Sequence, residues 1–161
     1  MHITWNELTI AFDPEKSEAL LADWRWLVGD DVQIILVSAL GDLFLADQAG
    51  NILWLDVGVA RLTQIAASRE EFLQFMQQPA NANEWFIPNL IGDLITAGQQ
   101  LTAGQCYSYK VPPMLSGRIE LINFEPADLL VHCSMFGQIG QKIQHLPEGT
   151  KIDNISISKS V

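Results

Sequence analysis

The sequence predicts an α+β fold in a single domain, with a largely antiparallel or mixed β-sheet packed by three to four helices. Three observations point there. Between residues 32 and 65, short β-branched or apolar runs alternate with turn residues. Helix-start signals stand at Asp13-Pro14-Glu15 and at Ser68-Arg69-Glu70-Glu71. The chain has 161 residues and is 48% hydrophobic, enough to bury one sizeable core without disulfide or metal staples.

Asp13 reads as an N-cap, with Pro14 at the first helical position and Glu15 in the first turn. Leu20, Leu21, Trp24 and Leu27 then recur at helical spacing until Gly29, predicting a helix of about three to four turns. Val32 to Leu40 is an apolar strand that Gly41 breaks. Asp42 to Asp47 and Ile52 to Asp56 form a hairpin about Gln48-Ala49-Gly50-Asn51, and Arg61 to Ile65 is a fourth strand. Such a succession makes an antiparallel meander.

Ser68 caps a helix carrying Phe72, Leu73, Phe75 and Met76, which Pro79-Ala80-Asn81 closes. A further helix is expected from about Ala82 to Gln99, with Pro88 in its first turn or kinking it. Gly104 to Val111, Arg118 to Ile122 and Pro126 to Ser134 read as three strands, and Gln138 to Leu146 as the last helix. The tail, Asn154 to Val161, is polar and β-like.

Nineteen acids face nine bases, for a formal charge of −10. That disfavours direct contact with nucleic acid, which needs Lys and Arg against phosphate. Trp26 to Ala60 holds five acids and no Lys or Arg; Glu70 to Tyr109 holds four acids and again no base. An acidic face of this kind steers a basic partner, and it also serves plain solubility. No apolar run approaches the roughly 20 residues of a membrane span. The N-terminus has no secretory pattern, so the expected location is the cytoplasm.

No metal-ligand spacing and no phosphate-binding glycine loop is present, so no cofactor is expected. Cys106 and Cys133 read as buried small hydrophobes. On the expected strand 126–134, His132 and Cys133 point to opposite faces, while Ser134 shares the face of His132. No nucleophile elbow surrounds Ser134, and His132 is read as structural.

Several ordered blocks carry a resemblance. They are Gly41-Asp42-Leu43-Phe44-Leu45, Ile52-Leu53-Trp54-Leu55, Gly104-Gln105-Cys106-Tyr107 and Lys110-Val111-Pro112-Pro113-Met114-Leu115-Ser116-Gly117. Asn123, Asp128, Val131-His132, Ser134, Gly137-Gln138-Ile139 and Leu146-Pro147-Glu148-Gly149-Thr150 complete them. Together they resemble the C-terminal domain of type VI secretion immunity proteins, whose relatives often carry an N-terminal GAD-like domain. Ser116-Gly117 stands where the family more usually has Gly-Gly. The resemblance covers about Val37 to Ile152; Asp13 to Leu40 resembles the closing part of the GAD-like region. It divides the single domain into an N-terminal helical segment 1–36, a family core 37–152 and a tail 153–161.

What the resemblance implies is a non-catalytic protein that binds and neutralises a cognate secreted toxin, in several relatives a DNase. A basic toxin cleft would meet the acidic hairpin region, namely Asp30, Asp31, Asp42, Asp47 and Asp56, with Trp54 as an aromatic anchor or a core residue. Charge reversal at Asp42 and Asp47 is expected to weaken toxin binding more than stability. Two other readings stay open: an orphan small-molecule-sensing or scaffolding domain, and a hydrolase using Ser134 or Cys133 with His132.

Overall fold

A computed structural model of the chain describes residues 1–152 and 155–157. The expected hairpin and meander form the centre of the fold. β1 (Thr9–Ile10), β2 (Val32–Ser38), β3 (Leu43–Asp47), β4 (Ile52–Asp56) and β5 (Arg61–Ala66) make an antiparallel sheet in sequence order. β6 (Gln105–Tyr109) and β7 (Phe124–Asp128) form a second, two-stranded sheet. The fold class is α+β, as the sequence predicts.

Both faces of the larger sheet are covered. On β3, Phe44 meets Phe72, Trp85 and Phe86, with ring centroids 5.1–6.3 Å apart. Leu43 and Leu45 point to the opposite face by strand alternation, and they are fully buried too. Phe72, Trp85 and Phe86 come from α4 (Arg69–Met76) and α5 (Pro79–Phe86), which continue into α6 (Pro88–Thr96).

The helices are shorter and more numerous than expected, and each break has a cause. α1 (Trp5–Leu8) is an unforeseen turn of helix, closed by a reciprocal box between Thr4 and Glu7. Asp13 does cap, accepting from the Glu15 N–H, but the helical stretch 14–28 is cut into pieces. α2 (Ser17–Leu21) and α3 (Arg25–Val28) are joined by 3-10 turns at Pro14–Lys16 and Ala22–Trp24. The single helix expected over 82–99 is two helices. Pro88 lacks an N–H and starts α6, while Ile87 before it takes a left-handed φ of 44°. Pro79 likewise begins α5 instead of closing α4.

The expected strand 118–122 is absent. Asn123 folds back and ties the segment into a loop: its amide donates to the carbonyls of Val111 and Arg118, both at 2.8 Å, and its oxygen accepts the Val111 N–H at 3.0 Å. The expected strand 126–134 ends at Asp128, which caps α7 (Leu129–Ile143) by accepting the Val131 N–H at 3.0 Å. α7 buries Leu129, His132, Cys133, Phe136 and Gly140, an i, i+3, i+4 stripe, and it also packs against the 14–28 segment. Trp24 donates its indole N–H to the Cys133 carbonyl at 2.9 Å across that contact. Of the expected tail strand, Asn154 and residues 158–161 lie outside the described residues, and Ile155 to Ile157 form no strand. Among the described residues no helix is long and apolar enough to cross a membrane.

Candidate functional site

The histidine and cysteines do not build a reacting centre. On a helix, His132 and Ser134 diverge instead of sharing a face, which corrects the expected geometry. His132 Nδ1 lies 2.8 Å from the Ser108 hydroxyl, and its Nε2 lies 3.2 Å from the Gly41 carbonyl. A carbonyl only accepts, so Nε2 carries the proton and Ser108 donates to Nδ1. Ser134 instead donates to Asp23 Oδ2 at 2.6 Å. His132 and Ser108 are 1% and 3% exposed, so no substrate reaches them. Burial lowers the imidazole pKa to about 4 and raises both thiols, Cys106 and Cys133, above the ordinary range. The hydrolase reading built on His132 with Ser134 or Cys133 fails on these distances and this burial. Among the described residues, no three His, Cys, Asp or Glu side chains converge to hold a metal ion.

The six residues expected at a binding surface fall into two places. Asp30, Asp31 and Asp47 line one open cleft of about 550 Å³ with Glu18, at the end of β2 and β3. Asp30 and Asp31 are exposed. Asp47 is held by the turn, accepting the Asn51 backbone N–H at 2.9 Å and its side-chain amide at 3.0 Å, and these bonds keep its carboxyl below the usual range. Glu18 engages Arg25 through both carboxylate oxygens at 3.0 Å, and Arg25 also donates to the Gly29 carbonyl. The Arg25 guanidinium is therefore committed to Glu18 and the Gly29 carbonyl.

Asp42 is not part of that surface. It is buried at the foot of β3, where Oδ1 accepts the Val57 N–H at 3.0 Å and Oδ2 accepts the Trp54 indole N–H at 3.1 Å. Burial, and then the nearby Asp56 charge, raise its pKa well above the ordinary carboxyl value. Asp42 is a core residue, because its short strand starts inside the sheet and the Trp54 ring closes over it.

Trp54 and Asp56 face a second cleft of about 510 Å³. Its sheet wall holds Trp54, Asp56 and Arg61; its helical wall holds Phe75, Glu84 and Trp85 from α4 and α5. Burial raises the Asp56 pKa, against the lowering effect of the Val59 N–H and of Arg61, its cross-strand neighbour. Sequence reasoning missed Arg61, Glu84 and Trp85 as neighbours of Trp54. Glu84 and Trp85 lie roughly 30 residues from Trp54, and contact at that separation leaves no local signal.

Residues 66–140 match the family described as T6SS immunity protein Tdi1, C-terminal. Over that segment the chain is similar to the Tdi1 C-terminal domain. The match spans a little under half of the chain and is narrower than the Val37–Ile152 resemblance. It includes α4 to α6, the second sheet and most of α7, and leaves the hairpin β3–β4 outside. The helical wall of the second cleft lies inside the Tdi1 segment, whereas the acidic cleft lies outside it. A solved structure, the crystal structure of Atu4351 from Agrobacterium tumefaciens, superposes with a TM-score of 0.54 at 19% identity. The alignment covers 80% of this chain and 66% of that one, so the chain spans just under two thirds of its length. At that identity the likeness speaks to the fold alone. No curated protein matches the chain.

Proposed function

We propose that this protein is an immunity protein that binds a cognate toxin of a type VI secretion system in the cytoplasm and neutralises it stoichiometrically, without catalysis. The observation that carries this reading is the Tdi1 match over residues 66–140. The surface agrees with it. A net charge of −10 and an open cleft bearing Asp30, Asp31, Asp47 and Glu18 complement a basic partner. A DNase fits that description, since its substrate groove must be basic to hold phosphates. Asp30 and Asp31 are the contacts we assign first, because they are exposed and tied to no hydrogen bond or ion pair among the described residues.

The test is to identify a type VI secretion toxin encoded beside its gene and co-express the two. Rescue of growth from the active toxin, and a one-to-one complex with an inactivated copy, are the expected results. Growth arrest despite soluble protein, with no complex, would remove the reading.

A further inference from the structure

The second cleft has a chemistry of its own. We propose that it is a socket for one arginine or lysine side chain presented by the partner protein. This rests on the immunity reading and names the side chain the partner must supply.

Three features define the occupant. First, the walls are aromatic. Trp54 comes from β4, Phe75 from α4 and Trp85 from α5. The aliphatic stem of Lys or Arg packs on such surfaces while its charge lies against ring faces. Secondly, two carboxylates, Asp56 and Glu84, rim the cleft against one guanidinium, that of Arg61. The balance is one negative charge, the sign that selects a cation. Arg61 makes no ion pair or side-chain hydrogen bond among the described residues, although it lies opposite Asp56 across β4 and β5. Asp56 Oδ1 accepts the Val59 N–H at 3.3 Å, so a more closely seated guanidinium can engage Asp56 without displacing an ion pair. Thirdly, the walls are set in advance. The buried Asp42 carboxyl holds the Trp54 indole N–H at 3.1 Å. Trp85, 5% exposed, is locked among Phe44 and Phe72 with centroids at 6.3 and 5.9 Å. A pre-formed aromatic socket loses little side-chain entropy on binding.

The volume, about 510 Å³, lies within the roughly 300–1,000 Å³ of ordinary binding pockets. β5 is an edge strand of its sheet, so another protein's backbone can run beside it and deliver a side chain into the cleft.

The test has two arms. In the first, N-acetyl-arginine methylamide is titrated while the indole N–H signals are followed by NMR, with N-acetyl-norleucine methylamide as the uncharged control. Saturable movement of the Trp54 signal with the arginine probe alone is expected, and Glu84→Lys should abolish it while Asp30→Lys leaves it unchanged. Equal movement by both probes, or none by either, overturns the proposal. In the second arm, the inactivated toxin candidate is titrated into wild type, E84K and W54F. Each substitution should weaken binding about tenfold or more, the size of one hot-spot contact. A tight complex indifferent to both substitutions overturns the socket and leaves the immunity reading standing. A specific response to the arginine probe with no toxin complex keeps the socket's cation chemistry and sinks the immunity reading.

Discussion

Ser108 on β6 donates its hydroxyl proton to His132 on α7 across 2.8 Å, and the imidazole passes on a hydrogen bond from Nε2 to the Gly41 carbonyl. One neutral ring thus joins the smaller sheet, the last helix and the turn before β3. Its neutrality has a thermodynamic sign. The folded-state pKa is lowered from 6.5 to about 4, so between these values the unfolded chain binds a proton that the native chain does not. The contribution of His132 is complete above pH 6.5 and is lost as pH falls toward 4. It amounts to roughly 3 kcal/mol at most. The difference in urea-unfolding free energy between wild type and His132→Gln should therefore shrink as the pH is lowered from 7 to 4. A constant difference would mean that the ring titrates normally.

Asp42 carries the opposite sign. Its pKa is raised, so the native state holds a proton that the unfolded chain has released once the pH passes 3.8. Stability from this group is fully present below that value and is lost as pH rises through the raised pKa. Asp42→Asn lacks the titration. Its cost relative to wild type should be larger at pH 4 than at pH 8, read from urea midpoints at unchanged slope. A cost that grows with pH would show that the carboxylate is stabilised as an anion.

Gly137 sets two energies against each other. Alanine gains about 1 kcal/mol over glycine within a helix. A Cβ at Gly137, however, would stand 2.5 Å from the Asp23 carbonyl oxygen and 2.9 Å from its carbon, both backbone atoms that cannot swing away. Overpacking of this kind costs about 1–3 kcal/mol and here exceeds the helix gain. Gly137→Ala should lower the urea midpoint. A higher midpoint would mean that the 14–28 segment shifts freely against α7.

At the acidic cleft, Asp30→Lys with Asp31→Lys should leave stability within about 0.5 kcal/mol, as for exposed sites generally. The same pair should slow association with the toxin and flatten its salt dependence, seen by stopped-flow fluorescence. Unchanged association rates would move the interface elsewhere. Charge reversal at Asp42 is no equivalent test, since it would bury an unpaired ammonium under Trp54. Reversal at Asp47 would remove both hydrogen bonds to Asn51.

The hairpin, the Ser68 cap and the Asp13 cap are local devices, and the residues spell them out. Ser68 accepts the Glu71 N–H at 3.1 Å, as its position three residues earlier predicts. The box of Thr4 with Glu7 was equally readable but sits on a helix of one turn, too short for a hydrophobic period to announce it. Residues 126–134 mislead because Val131, Cys133 and Met135 alternate with His132 and Ser134 as in a half-buried strand. The period that wins is helical, through Leu129, His132, Cys133 and Phe136, and the Asp128 cap starts it. What the sequence offers at the expected surface is a stretch rich in Asp and free of bases. That Asp42 is buried while Asp31 is exposed depends on where Trp54 and Val57 pack, and composition holds no trace of that.

The contacts between the 14–28 segment and α7 bear on how the chain is made. Trp24 to Cys133, Trp26 to Gly137 and Asp23 to Ser134 are 109–111 residues apart. At the ribosome's pace of about 5–20 residues per second, the early helices wait several seconds for the partner that buries Trp24. During that interval their apolar face is open to chaperones or to other chains. If this protein must disarm a toxin that arrives without warning, protection comes from copies completed beforehand, and the useful quantity in the cell is a standing stock.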